Sequence, residues 1–486
     1  MTRKFLFIMA LLIATSSYGQ EPSTTSFSLE EAIQYALQNS VRSKNALLDQ
    51  RIAKAKVNET VGIGLPQISG SASIVSNPEL PRFFAQYNGP GGFLGDLSAV
   101  PGIQVGDVVA SRNFFQLKNS GNATLTLNQL IFNGSYLVGL KAASTYKDLA
   151  LKTTEQTQED IIQQVTKAYY AVLINRERSR LFDSNIGRVD SLLKNTIALN
   201  RNGFAESIDV DRVRVTLNNL VTERDKFNNL NELGLQLLKF QMNYPQDQQM
   251  DVRGQIEDLR VDTTMAQYSR NGWDYRSRPD YKVLEVNYKL QELNVKNQYA
   301  TAMPVISAFG SLGASSQSTD ISGLFSTNSK IAETSTLGPD KWYSFSQVGV
   351  SLSIPIFTGL SRTARIQQEK LKLMQIENNF TNMRNSIDLQ IAQASLSFEN
   401  ALRTLMSQRE NQDLAGNVAR VTKIKYQQGV GSSLEVTDAE NALRNAQTNY
   451  YSALFDAMVA KVDLDKAFGR LLPSTYEQNS LIKSGK

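Results

Sequence analysis

The chain carries one long pattern twice, and that repetition limits its fold more than any other feature. Leu125–Gly134 (LTLNQLIFNG) recurs as Val350–Gly359 (VSLSIPIFTG), and Gly203–Val210 (GFAESIDV) recurs as Gly429–Val436 (GVGSSLEV). Leu65–Ser69 (LPQIS) returns as Met303–Ser307 (MPVIS). Two diverged copies of roughly 200 residues each lie far above any solenoid period. They predict a pseudo-twofold unit whose halves each join short alternating strands to very long helices. Residues 102–244 and 356–472 contain no proline, which leaves room for helices of about 60 residues, or about 90 Å. Such a helix must lie against neighbours along its length.

The first nineteen residues read as a leader. Arg3 and Lys4 precede the apolar run Phe5–Ala14, and Ser17 and Gly19 supply small residues before a cleavage point. This is the pattern of a secretory signal peptide. Its removal takes two cations from a formal net charge of +5, leaving +3. That mild balance, without a long Lys/Arg run, argues against nucleic acid. Cysteine and histidine are both absent. No disulfide and no lipid-bearing N-terminal cysteine are therefore expected, and the commonest general base and zinc ligand are missing. No enzyme, cofactor or metal is expected, because no convergent catalytic set remains.

Ser28 and Glu31 have the spacing of a capping box, opening a helix predicted to reach about Val61 before Pro66. Strands follow at 67–75 and 123–132, separated by a Pro- and Gly-rich loop over 76–120. The second copy repeats the order: helix 280–300, strand 305–314, loop to about 341, strand 346–357. The predicted division is 1–19 signal peptide, 20–245 first repeat, 246–275 inter-repeat segment, 276–470 second repeat and 471–486 C-terminal tail.

The long tracts have helix-packing periodicity. Ile366, Leu373, Phe380, Ile387, Ala394 and Ala401 recur every seven residues. Val436, Ala439, Leu443, Ala446, Tyr450, Ala453, Ala457 and Ala460 follow at three- and four-residue spacing. A sustained heptad specifies side-by-side helices. A solvated coiled-coil stalk would produce the same stripe, so the strands decide between readings. Val348, Val350, Leu352, Ile354 and Ile356 alternate with Gly349, Ser351, Ser353 and Pro355. Nine residues is the length of a tilted membrane strand with an apolar lipid face and a small polar lumen face. Trp342, Tyr343 and Phe345 precede this strand and Phe357 follows it. Phe114 and Phe115 precede its counterpart and Phe132 closes it. These are candidates for interfacial aromatic girdles against outer-membrane lipid. Four strands cannot close a barrel, and an open edge cannot face lipid. Oligomerisation is expected, three chains supplying twelve strands.

The order, spacing and duplication of these motifs resemble the TolC-like outer-membrane efflux protein family, over about residues 26–470. The resemblance rests on the Ser28-Leu-Glu-Glu-Ala-Ile start, the LPQIS strand entry, the Pro-Ile-Phe-x-Gly strand exit and the two Gly-to-Asp/Glu-Val turns. It implies a mainly α fold with a β-barrel part. Two repeats per chain would supply four membrane strands, completing a twelve-stranded trimeric barrel continued by a long periplasmic α-helical barrel. It further implies a homotrimer in the cell outer membrane, extending into the periplasm. There it would act as the duct of a tripartite export system with a periplasmic adaptor (membrane fusion) protein and an inner-membrane pump. Small-molecule efflux is the favoured cargo class, and type I protein secretion is the alternative on the same fold. A coiled-coil surface fibre is the alternative from a different class.

By motif match the resemblance places a periplasmic gate at Tyr426, Glu435 and Asp438 on one tip turn and Asp209 on the other. Adaptor contact falls on Gly203, Phe204, Gly429 and Val430. Three copies would bring six carboxylates from Glu435 and Asp438 around one axis, attracting cations. Ser432 and Glu435 also fit a helix cap, which is the competing role. Gly431 stands where a well-known member has an arginine, and Ile208 where it has a threonine. A Tyr426–Asp209 hydrogen bond is therefore the expected latch. The 76–120 loop, with Phe83, Phe84 and Phe93, is expected to cap the outer mouth.

Overall fold

The computed structural model describes residues 25–113, 115–254, 268, 271–329 and 340–472. The expected signal peptide, Phe114, much of the inter-repeat segment and the tail beyond residue 472 lie outside the described residues. The chain divides into two compact units, one formed by Ala55–Ser144 with Gln291–Leu371 and the other by the remainder.

The first unit is built on an antiparallel sheet of four strands: β2 (Gln67–Ser76), β5 (Asn119–Asn133), β7 (Val305–Ser318) and β8 (Tyr343–Ser353), in the order β2-β5-β7-β8. The two repeats each contribute a pair, and the pairs meet at β5 and β7. Register sorts the side chains sharply. Ile68, Leu127, Gly310 and Val348 lie in one cross-strand row, and Leu125 and Leu312 in the next. The row after that holds Ala72, Ala123 and Ala314. The opposite face carries Ser69, Thr126, Ser311 and Gln347 in one row and Ser73, Asn122, Ser315 and Tyr343 in another. Because side chains alternate with period two, a one-residue slip would exchange these faces. A bulge between Leu130 and Phe132 shifts the end of β5 by one residue.

The sheet departs from expectation at two places. β8 ends at Ser353, so Ile354–Phe357 are not strand: Pro355 lacks the N–H that a ladder requires. The 76–120 segment is not a plain loop. It contains a hairpin, β3 (Phe83–Gln86) with β4 (Val108–Ser111), whose base is tied by the Asn77 N–H to the Lys118 carbonyl at 2.7 Å. Tyr87 is buried beside it, and its hydroxyl accepts from the Leu97 N–H at 3.2 Å.

The second unit is helical. β1 (Thr25–Phe27) pairs in parallel with β6 (Met250–Val252). α1 (Leu29–Asn39) opens on the expected capping box: Ser28 Oγ accepts from the Glu31 N–H at 3.2 Å, and Glu31 Oε2 accepts from the Ser28 N–H at 2.8 Å. The single helix predicted to run to Val61 is broken. Ser40 is extended (ψ 143°), and its hydroxyl accepts from the Ser43 N–H at 3.3 Å, capping α2 (Val41–Ile63). The long elements match across the repeats. α3 (Gly134–Arg201) has 68 residues and α4 (Ser207–Met242) 36; α7 (Ser361–Gln427) has 67 and α8 (Ser433–Ala467) 35. α5 (Pro279–Ala300) opens the second repeat, and α6 (Gly323–Ser326) is a single turn. Both α3 and α7 are about 100 Å long. α7 buries Ile387, Ile391, Ala394, Phe398 and Leu402, and α8 buries Val436, Ala439, Leu443, Ala453 and Ala457. Of the predicted α7 stripe only Ile387 and Ala394 are buried, whereas five of the eight predicted α8 positions are.

Candidate functional site

Two places carry the chemistry expected of a conduit: the two-faced sheet and the pair of helix tips. On the sheet's apolar face Val348, Val350 and Leu352 are 88%, 68% and 60% exposed. So much uncovered aliphatic surface on one strand is a liability in water and an asset in lipid. The other face is made of hydroxyl and amide side chains, with no charge in the rows from Gln67–Gly349 to Ser73–Tyr343. Two phenylalanines interrupt it. Phe309 lies over Gly349 and Phe345 over Gly313, each ring filling the space a Cβ would need.

This register redistributes the girdle candidates. Trp342 shares the apolar face, its ring over Gly121 and its indole N–H donating to the Leu324 carbonyl at 3.0 Å. Phe132 pairs with Ile306 on that same face. Tyr343 and Phe345 alternate to the polar face; the Tyr343 hydroxyl donates to the Ser329 carbonyl at 3.0 Å and accepts from the Asp340 N–H at 3.1 Å. Phe115 stacks with Phe93 and meets Phe83 edge-on, within the 76–120 segment. Phe357 is exposed beyond the end of β8. Aromatic residues near a strand look alike in one dimension; parity relative to the ladder separates them.

The tips have matching geometry. Gly203 and Gly429 both adopt φ +77°. Phe204 N–H donates to the Leu199 carbonyl at 2.9 Å, and Val430 N–H to the Lys425 carbonyl at 3.0 Å. With the bonds from Gly203 to Asn200 and from Gly429 to Tyr426, each is a Schellman turn, which requires the left-handed residue. The apolar residue after each glycine is presented outward: Phe204 is 82% and Val430 74% exposed.

The acids at the two turns differ. Asp209 is committed locally: it accepts from the Glu206 N–H at 3.4 Å and pairs with Arg212 at 3.5 Å. Ser432 caps α8 by accepting from the Glu435 N–H at 3.2 Å. The Glu435 and Asp438 carboxylates, both exposed, have no hydrogen-bond or ion-pair partner among the described residues. The Tyr426–Asp209 bond does not form. Tyr426 instead packs against the apolar cluster that includes Leu192 and Val436, with its hydroxyl 3.3 Å from Thr196 Oγ1. Thr196 spends its proton on the Leu192 carbonyl at 2.9 Å, so Tyr426 is the donor. The link therefore runs from α7 to α3. A side chain at Gly431 would start 3.0 Å from the Tyr426 backbone nitrogen, which leaves no comfortable room for the arginine that one well-known member of the resembled family carries there.

No described helix is long and apolar enough to cross a membrane, and among the described residues no three His, Cys, Asp or Glu side chains form a metal-holding group. Residues 276–470 match the family described as outer membrane efflux protein. The second repeat thus resembles that family over about two fifths of the chain. Solved structures share the fold over nearly the whole chain. VceC of Vibrio cholerae aligns with a TM-score of 0.64 at 14% identity, covering 91% of this chain and 96% of that one. The CmeC outer membrane channel of Campylobacter jejuni gives 0.65 at 16%, covering 96% and 93%. The open-state MtrE outer membrane channel of Neisseria gonorrhoeae gives 0.63 at 19%, covering 91% and 88%. No curated protein sequence matches significantly. The CmeC and MtrE proteins of these structures are outer membrane channels.

The tips are backed by a network that no sequence pattern singles out. Arg188 Nε donates to Glu440 Oε2 at 3.1 Å, and Arg188 also reaches Asn185, whose amide lies 3.5 Å from Gln447. Glu440 is buried. The four residues join α3 to α8, and their sequence separation hides the pairing.

Proposed function

We propose that three copies of this chain form a passive duct for small-molecule efflux, working with a periplasmic adaptor and an inner-membrane pump. The observation that carries this reading is the sheet: one face aliphatic and exposed, the other polar and uncharged, with β2 and β8 left as open edges. Unpaired edge groups in lipid cost several kcal/mol each, so the edges must be closed. Four alternating strands leave β8 antiparallel to β2, so β8 of one copy pairs with β2 of the next in the same ladder sense, and three copies make twelve strands. The boundaries at 19/20, 245/246, 275/276 and 470/471 belong to the same proposal.

The cargo path narrows at the tips. Glu435 and Asp438, unpaired in the single chain, form a ring of six carboxylates in the trimer and make the aperture cation-selective. Tyr426, bonded to Thr196, holds α7 against α3 beside it, and Asp209 caps the start of α4. Gly203 and Gly429 present Phe204 and Val430 to the adaptor, and the 76–120 hairpin with its phenylalanines narrows the outer mouth. Mass measurement in detergent should give three chains. In planar bilayers Glu435→Gln with Asp438→Asn should reduce cation selectivity while conductance persists. Unchanged selectivity would remove the ring from the aperture, and a folded monomer in lipid would sink the duct. Peptide rather than small-molecule passage in reconstituted vesicles would favour protein secretion on the same fold.

A further inference from the structure

Glu159, in the middle of α3, is 2% exposed, and its Oε1 is wholly buried without a hydrogen-bond partner. No described residue donates to it or pairs with it. Yet it sits within electrostatic reach of two cations, Arg278 and Lys466, and two carboxylates, Asp280 and Asp160. Both cations are already committed. Arg278, itself buried, holds Asp280 at 2.6 Å, donates to Gln390 of α7 at 3.1 Å and to the Ala467 carbonyl at the end of α8 at 3.2 Å. Lys466 of α8 holds Asp160 and Gln163 of α3, each at 2.7 Å. Gln163 also donates to Asp463 at 2.7 Å, Lys167 pairs with Asp463 at 2.5 Å, and Arg42 of α2 reaches Asp160 at 3.3 Å. These bonds tie α3 to α8 and α2, and tie α7 and α8 to the start of α5 through Arg278. They border an open cavity of about 450 Å³ lined by Gln163, Arg278, Gln390 and Lys466 among others.

We propose that Glu159 is a proton-operated switch on this junction. Neutral, it leaves Arg278 and Lys466 in their present pairs; ionised, it draws one of them away and loosens α8 from α3 or from the start of α5. A neutral buried carboxyl is tolerable without a partner, whereas a buried carboxylate is not. Burial raises the Glu159 pKa from an ordinary 4.5 to about 7; Arg278 and Lys466 pull it back, and Asp280 and Asp160 push it further up. In the unfolded chain the group ionises near its ordinary value. Between that value and about 7, folding requires proton uptake, so the junction weakens as pH rises through this window and gains nothing further below it.

Hydrogen exchange on the assembled protein tests the switch without relying on the duct reading. Protection of residues 155–167 and 460–467, corrected for intrinsic chemistry, should fall about tenfold or more between about pH 5 and pH 8. Glu159→Gln should abolish that dependence while the tips exchange as before. Glu159→Met, of similar volume and unable to ionise, should also be flat, which keeps the test open should the glutamine variant fail to assemble. A wild type with no pH dependence in these segments would overturn the switch. So would an undiminished dependence in the variants.

Discussion

Gly469 shows how a single atom is constrained in this chain. It ends α8 at φ +68°, and a Cβ there would collide with the Ser277 carbonyl beside the turn that leads to Arg278. Gly469→Ala therefore combines backbone strain with a backbone clash and should cost more than about 2 kcal/mol. Gly203→Ala, at φ +77° with open space around it, should cost only about 1 kcal/mol. Thermal unfolding of the two variants should preserve that order. The tip glycines were legible, because a Gly before an Asp/Glu-Val repeat marks a turn. Gly469 was not, since its constraint comes from a residue nearly two hundred positions away. The same limit applies to Tyr426, whose hydroxyl partner is Thr196 rather than Asp209: both partners lie on distant helices, and only packing chooses between them.

Between helices, the Arg188–Glu440 pair is the interaction to break. Glu440 is buried and Arg188 partly so. Arg188→Leu would strand the carboxylate and should cost about 3 kcal/mol, mostly as the penalty of an uncompensated charge. Arg188→Leu with Glu440→Leu should recover much of that loss, because an apolar pair leaves nothing unsatisfied. A denaturant double-mutant cycle measures this coupling, and additive losses would show that the pair contributes nothing jointly. Helix existence and length were predictable from proline spacing and heptads. The break at Ser40 was less so: a serine fits a helix surface, and only its φ/ψ and its bond to Ser43 mark it as an end of one helix and a cap of the next.

At the level of the assembly, the two faces of the sheet give a direct readout. The chain has no cysteine, so an introduced thiol is the sole target of a thiol reagent. Ser351→Cys lies on the polar face and should react with a charged, water-soluble reagent added to the reconstituted protein. Val350→Cys, one residue away on the aliphatic face, should resist it. Equal labelling of both would mean that the sheet does not separate lipid from water. The contrast is steep because β-strand side chains alternate strictly.

Duplication, alternation and proline-free length were written in the sequence, since each is a local or periodic property that one strand or helix expresses alone. They determined two repeats, four strands and two pairs of long and short helices. Which aromatic residues share the lipid face, which helix Tyr426 grips and where Glu159 is buried were decided only by tertiary structure. Those properties depend on ladder parity and on contacts between residues far apart in the chain. An unpartnered carboxyl looks like any surface glutamate until neighbouring helices close over it.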